Sequence, residues 1–207
     1  MLAFKRIGLV KVLYYLVLLM IPVVLTFLYL DKTIGTAAWI ILSLASLAFI
    51  GLNIHDQKLI AVKKEKKLME QAEHMIQKRE WNHAIQALDD VLAMDCKNYK
   101  AAMGRGYCFR QKTDYRSAIE AYRAAVKINE NIPDAHFLLG ICCFKERLMK
   151  EATSSFERVI KLKPDNQEAY LFLGDIHRFW GDREKSKKYY EAYLERTDDE
   201  NIRKTVE

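Results

Sequence analysis

With 207 residues and a formal net charge of +6, the chain has room for one or two domains. Its basic excess is confined to the first 67 residues, where nine Lys/Arg meet three acids; the remaining 24 Lys/Arg are balanced by 24 Asp/Glu. A neutral body excludes the basic footprint of a nucleic-acid binder. Four cysteines without a CxxC exclude a sequence-coded zinc or dithiol redox motif.

The first predicted element is the uncharged run Val12 to Leu30, 19 residues long, and the second is Ile34 to Ile54, 21 residues long. About 20 apolar residues cross the hydrocarbon core of a bilayer as a helix, so both runs read as transmembrane helices (about 12–30 and 34–54). The first is too long for the core of a secretory signal and has no small-x-small cleavage site after it. Neither shows the polar face of a soluble amphipathic helix, and a membrane helix tolerates Pro22. Only Asp31, Lys32 and Thr33 separate the runs, which predicts an antiparallel hairpin within residues 1–56. Ser43, Ala45, Ser46, Ala48 and Gly51 provide a small-residue face for packing inside it.

Orientation follows from the lysines and arginines. Lys5, Arg6 and Lys11 precede the first run; Lys58, Lys63, Lys64, Lys66 and Lys67 follow the second; the turn holds Lys32 alone. Eight against one predicts that both termini lie in the cytoplasm. Residues 57–64 read as a basic juxtamembrane linker, and Lys58, Lys63, Lys64, Lys66 and Lys67 as contacts to membrane lipid, worth about 1 kcal/mol each near an anionic surface. From His55 to Arg79 there is neither Gly nor Pro. The second apolar helix is therefore expected to run into the next element with little or no break, holding that element close to the membrane.

Residues 65–200 carry a period of 34. Ala72, Gly106, Gly140 and Gly174 form one column; Ala84, Ala118, Ala152 and Ser186 stand twelve residues later; Leu88, Tyr122, Phe156 and Tyr190 follow four further on. The pairs Val91-Leu92, Ala125-Val126, Val159-Ile160 and Tyr193-Leu194 complete each unit. A 34-residue period predicts helix–turn–helix units that bury their apolar faces only by stacking on one another. Small residues at the first two columns let paired helices approach, and the large third column fills the space beside them. Four units follow, 65–98, 99–132, 133–166 and 167–200, then a polar tail, 201–207. The predicted first helices are 65–78, 99–112, 133–146 and 167–180; the second helices are 81–94, 115–128, 150–162 and 183–195. Asp114 and Asp182 are the expected N-caps.

The stretches DYRSAIEAYRAAVKIN and LLGICCF…EATSSFERVIKLKPDN resemble the tetratricopeptide repeat family. The fold class is then all-α: an N-terminal transmembrane helical hairpin followed by a four-repeat α-solenoid. The resemblance implies a concave groove lined by the first helices, here Met69, Met103, Tyr107, Arg110, Phe137, Ile141, Phe144, Lys145, Leu171, Arg178 and Phe179. It also implies a protein partner in that groove. Family members that take an acidic chaperone C-terminus use a Lys/Asn/Lys/Arg carboxylate clamp, whose opening columns hold Met69 and Glu73 here. A Met- and aromatic-rich groove with basic spots instead suits an amphipathic or extended segment with some acidic residues. The last repeat lacks a full capping helix. That leaves either an imperfectly covered end, with Tyr189 and Tyr193 partly exposed, or a face that docks on a partner or on a second copy of the chain.

No HExxH, phosphate-binding Gly loop or Gly-x-Ser-x-Gly is present, so no enzyme, cofactor or metal is expected. His136 and His177 fall on packing columns, and Cys96, Cys108, Cys142 and Cys143 read as buried reduced thiols. These features point to a membrane-anchored adaptor or scaffold at the cytoplasmic face of a prokaryotic membrane. The alternatives are a structural subunit of a membrane complex and a cytochrome c maturation-type accessory factor. In the last family a long loop joins the two helices, against which the three-residue link argues.

Overall fold

The computed structural model describes residues 32–197 and 200–206, with side chains over 43–197 and 200–205. The expected first membrane helix, and with it the hairpin, lies outside the described residues. The chain divides into two compact units, 1–62 and 63–207.

Helix α1 runs over Lys32–Gln77. It takes in the whole second apolar run and the expected linker, so 57–64 is helix rather than a separate connection. Within the first unit its side chains from Ser43 onward are almost all exposed, among them Leu44, Leu47, Phe49, Leu52 and Ile54, each more than half exposed. Among the described residues, no helix is long and apolar enough to cross a membrane.

The second unit is an all-α solenoid. From residue 65 the end of α1 pairs with α2 (Trp81–Met94). Then come α3 (Tyr99–Gln111) with α4 (Tyr115–Ile128), α5 (Pro133–Lys145) with α6 (Met149–Leu162), and α7 (Gln167–Phe179) with α8 (Arg183–Leu194). Successive pairs stack through α2 on α3, α4 on α5, and α6 on α7. The polar tail is not extended: it forms α9 (Glu200–Val206), which leans on α8.

Each first helix ends the same way. The N–H groups of Arg79, Thr113, Arg147 and Gly181 reach the carbonyls three residues back, and those of Glu80, Asp114, Leu148 and Asp182 reach five residues back. This double bond is the Schellman turn, which needs a left-handed residue. Arg79, Thr113 and Arg147 take φ of 60° and Gly181 takes 76°. The turn stops each first helix one residue before the sequence-predicted end. The second helices start at N-caps: Asp114 accepts from Ser117 N (3.1 Å) and Asp182 from Lys185 N (3.2 Å). Asn98 and Asn166 cap α3 and α7 in the same way, each at 2.9 Å.

The three periodic columns are the core. Ala72, Gly106, Gly140 and Gly174 are buried, as are Ala84, Ala118, Ala152 and Ser186, and Leu88, Tyr122, Phe156 and Tyr190. Two apolar clusters form: one from Ala72 to Cys108, the other from Ala118 to Ile176. Cys108, Cys142 and Cys143 are buried, but Cys96 is exposed in the turn between α2 and α3, which corrects the expectation for that thiol. Burial pushes the Cys108 and Cys142 thiols up to about 11 and Cys143 to about 12.

Candidate groove on the first helices

The eleven predicted groove residues fall on α1, α3, α5 and α7, and none is fully buried. Lys145, Arg178 and Phe179 are exposed, and Phe179 is the extreme at 68 %. Met69, Met103, Tyr107, Arg110, Phe137, Ile141, Phe144 and Leu171 are half-buried. Half-burial divides their work between packing and surface. Met103, Phe137, Ile141 and Phe144 lean on the larger cluster, and Met69 and Tyr107 on the smaller one.

The centre of this face is a set of phenyl rings. Phe172 stacks parallel on Phe156 at 4.8 Å between centroids and receives the edges of Phe137 (6.2 Å) and Phe144 (5.4 Å). Phe137 also meets Phe156 edge-on at 5.9 Å. Such pairs add about 0.5–1.5 kcal/mol beyond area burial. Phe137 and Phe144 thus join α5, α6 and α7 as much as they line a surface. Sequence reasoning missed Phe172, which lies one position past the groove column at Leu171. The signal was available: the ring it covers, Phe156, is the only phenylalanine in its column.

Toward the N-terminal end of the face, Trp81 meets Tyr107 edge-on at 6.1 Å, and the Arg110 guanidinium lies over the Tyr107 ring at 5.6 Å. Arg110 also sits beside the hydroxyl of the fully buried Tyr122. Burial raises that phenol well above its ordinary range, and the guanidinium opposes the shift. Toward the C-terminal end, Tyr190 donates to Asp175 Oδ1 at 2.7 Å, and Arg178 approaches the same oxygen at 3.6 Å. Burial raises the Tyr190 phenol to about 12, helped by its bond to Asp175. Arg105 bonds Asp89 Oδ1 at 2.9 Å in a partly exposed ion pair.

His177 packs as expected, stacked on Tyr189 at 5.4 Å and edge-on to Trp180. His136 Nε2 lies 2.9 Å from the Glu130 carbonyl. Tyr189 and Tyr193 at the last repeat are half-buried. On α1, Lys58, Lys63, Lys64, Lys66 and Lys67 are all exposed, and Lys66 lies 3.8 Å from Glu70.

A family model described as anaphase-promoting complex, cyclosome, subunit 3 matches residues 77–159, and one described as tetratricopeptide repeat matches 167–200. Protein CTR9 homolog from Arabidopsis thaliana is 30% identical over 101 residues, 48% of this chain and 9% of that protein. The chain therefore matches under a tenth of that relative's length. Among solved structures, MamA protein shares the fold with a TM-score of 0.63 at 22% identity, covering 65% of this chain and 73% of that one. The first TPR of Spaghetti (RPAP3), solved bound to the HSP90 peptide SRMEEVD, gives 0.54 at 23% identity, covering 57% and 94%. The matched models and the shared fold support the tetratricopeptide repeat family, and with it a protein–protein interaction domain, for the solenoid.

Proposed function

We propose that this protein is a membrane-anchored adaptor that gathers protein partners at the cytoplasmic face of a membrane through the groove on its first helices. One observation carries the membrane part: the side chains of Leu44, Leu47, Phe49, Leu52 and Ile54 stand exposed on a helix followed at once by lysines. Fully burying one such side chain is worth about 1.5–3 kcal/mol, and a soluble protein rarely leaves so many uncovered. The uncharged runs 12–30 and 34–54 and the lysine asymmetry support the same reading. The five lysines from Lys58 to Lys67 would then meet anionic headgroups.

Exposed Phe179, half-buried Tyr107 and the cations Lys145 and Arg178 support the binding part. Aromatic anchors supply affinity, and charges fix orientation and speed encounter. Peptide binding is what the related RPAP3 domain does, but Met69 and Glu73 here replace the opening columns of a carboxylate clamp, so the ligand is expected to differ. A photo-crosslinking residue at Phe179 in cells should form an adduct with another protein, whereas one at exposed Lys163 should not. Equal labelling at both positions would move the binding face elsewhere. A periplasmic reporter fused after Glu207 should be inactive, and an active one would reverse the topology.

A further inference from the structure

The turn that joins the two helices of each repeat lies beside the turn of the next. One pair of columns marks each of these joints: Asn82 with Lys112, Arg116 with Glu146, and Lys150 with Trp180. The first joint is closed by Lys112 Nζ donating to Asn82 Oδ1 at 2.6 Å, the second by Arg116 Nε donating to Glu146 Oε2 at 3.1 Å. At the third, Trp180 takes the column of Glu146, and an indole offers no acceptor to the Lys150 ammonium. The surface around this third joint is apolar and cationic together. Leu148, Phe179 and Trp180 are exposed, with Trp180 held edge-on to His177. Lys145, Arg147, Lys150 and Arg183 are exposed too, and among the described residues none of them meets an acid. The acids nearby are engaged: Arg116 and Arg123 hold Glu146 and Glu151, and Asp182 caps α8 and meets Lys185 at 3.3 Å. Glu184 is the one exposed acid described at these two turns.

The opposite edge of the solenoid has the other sign. In the two connections that flank the third repeat, 128–134 and 162–168, the exposed charges are Glu130, Asp134, Asp165 and Glu168 against Lys163 alone. A solenoid that is neutral in sum therefore segregates its charge. We infer that the joint between the third and fourth turns is a docking site for an acidic stretch of the protein partner. An apolar side chain of that stretch sits among Leu148, Phe179 and Trp180, and its carboxylates face Lys145, Arg147, Lys150 and Arg183. Aromatic anchors rimmed by charge are the usual makeup of such a contact. The inference rests on the reading that Phe179 faces a protein partner. Chain direction favours a protein over a lipid surface here. α1 enters the solenoid at the connection edge, where Asn98 donates to Glu65 at 2.6 Å, so the proposed membrane segment precedes the edge opposite this joint.

The test uses the full chain in nanodiscs containing phosphatidylserine. The probe is a short fluorescein-labelled peptide of glutamates around a central Leu-Phe pair, followed by fluorescence anisotropy. One control peptide has lysines for the glutamates, and the other has Ser-Ser for Leu-Phe. The parent should bind the probe and neither control. Phe179→Ser and Lys150→Glu, both at exposed positions, should each weaken binding about fivefold or more. Lys163→Glu on the opposite edge should leave it unchanged. A benzophenone side chain at Leu148 should form its adduct with the probe. A probe bound no better than the controls overturns the proposal. Unchanged binding by the folded Phe179 and Lys150 variants does so too, as does a Leu148 adduct with lipid in place of peptide. Probe binding that those variants lose, without crosslinks at Phe179 in cells, would keep this site and remove the groove reading. Crosslinks at Phe179 with no preference for the probe would do the reverse.

Discussion

Gly140 lies so close to the ring of Phe156 that a single added carbon would not fit: a Cβ at 140 would stand 2.8 Å from Phe156 Cε1. The two belong to paired helices, α5 and α6, and the contact sets how closely those helices approach. Overpacking a core commonly costs about 1–3 kcal/mol. Gly140→Leu is therefore expected to lower the melting temperature of the protein clearly, and Lys163→Ala, at an exposed turn, to change stability by less than about 0.5 kcal/mol. Circular-dichroism melts of the two variants beside the parent would decide it; equal melts would mean that the helices are not paired at this contact.

The Schellman turns offer a gain. Thr113 and Arg147 hold the left-handed conformation that Gly181 holds in the last repeat. A non-glycine residue there costs about 1–2 kcal/mol, and a β-branched one fits it worst. Thr113→Gly and Arg147→Gly should each raise stability by about 1 kcal/mol after the entropic cost of glycine is subtracted. Gly181→Ala should do the opposite. Denaturant midpoints for the three variants provide the check, and a loss of stability in both Gly variants would argue against the turn.

Thiol chemistry should separate the cysteines. The thiolate is the reactive form, and burial holds Cys108 and Cys142 near 11 and Cys143 near 12. At neutral pH a disulfide reagent should titrate one thiol of the native chain, Cys96, and all four after denaturation. Cys96→Ser should bring the native count to zero. Fast reaction of a second thiol would show that the core opens at α3 or α5.

Glu151 gives a pH dependence of known sign. Its hydrogen bonds from Arg123, at 2.7 and 2.6 Å, hold its carboxyl below the ordinary value. A depressed folded value contributes stability above the unfolded one, about 4.3, and that contribution is lost as pH falls through the folded value. The pair is partly exposed, so the effect is small. Glu151→Gln should flatten the fall of melting temperature on the acid side of about pH 4 and leave the slope between pH 6 and 8 unchanged. An acid limb identical to that of the parent would mean the ion pair contributes nothing.

The helix pairs were legible because their code is periodic. Each Gly/Ala, Ala/Ser and aromatic column repeats with the period that structure requires, and Asp114 and Asp182 announce their helices. Arg79, Thr113 and Arg147 were not legible as left-handed residues, since nothing in an arginine or threonine signals that conformation; only Gly181 does. The groove was half legible. Position along the first helix identified the right face, but burial there depends on ring-to-ring fit, and Phe172 lies outside the groove columns. Cys96 was misread because cysteine was treated as a buried type, although it sits in the turn after Asp95 rather than on a helical packing column.

The apolar interior is divided, and the division does not fall between repeats. One cluster ends on α3 with Cys108, and the other begins on α4 with Ala118. The division is bridged within the second repeat: Met103 and Phe109 of α3 pack on the larger cluster, and Gly106 lies against the Tyr122 ring. Arrays of this kind melt by neighbours rather than all at once. Because α3 packs on both clusters, it ties the end of α1 and α2 to α4 and the helices beyond it. Amide protons of α3 and α4 would then exchange through a common opening, later than those of the two ends of the array.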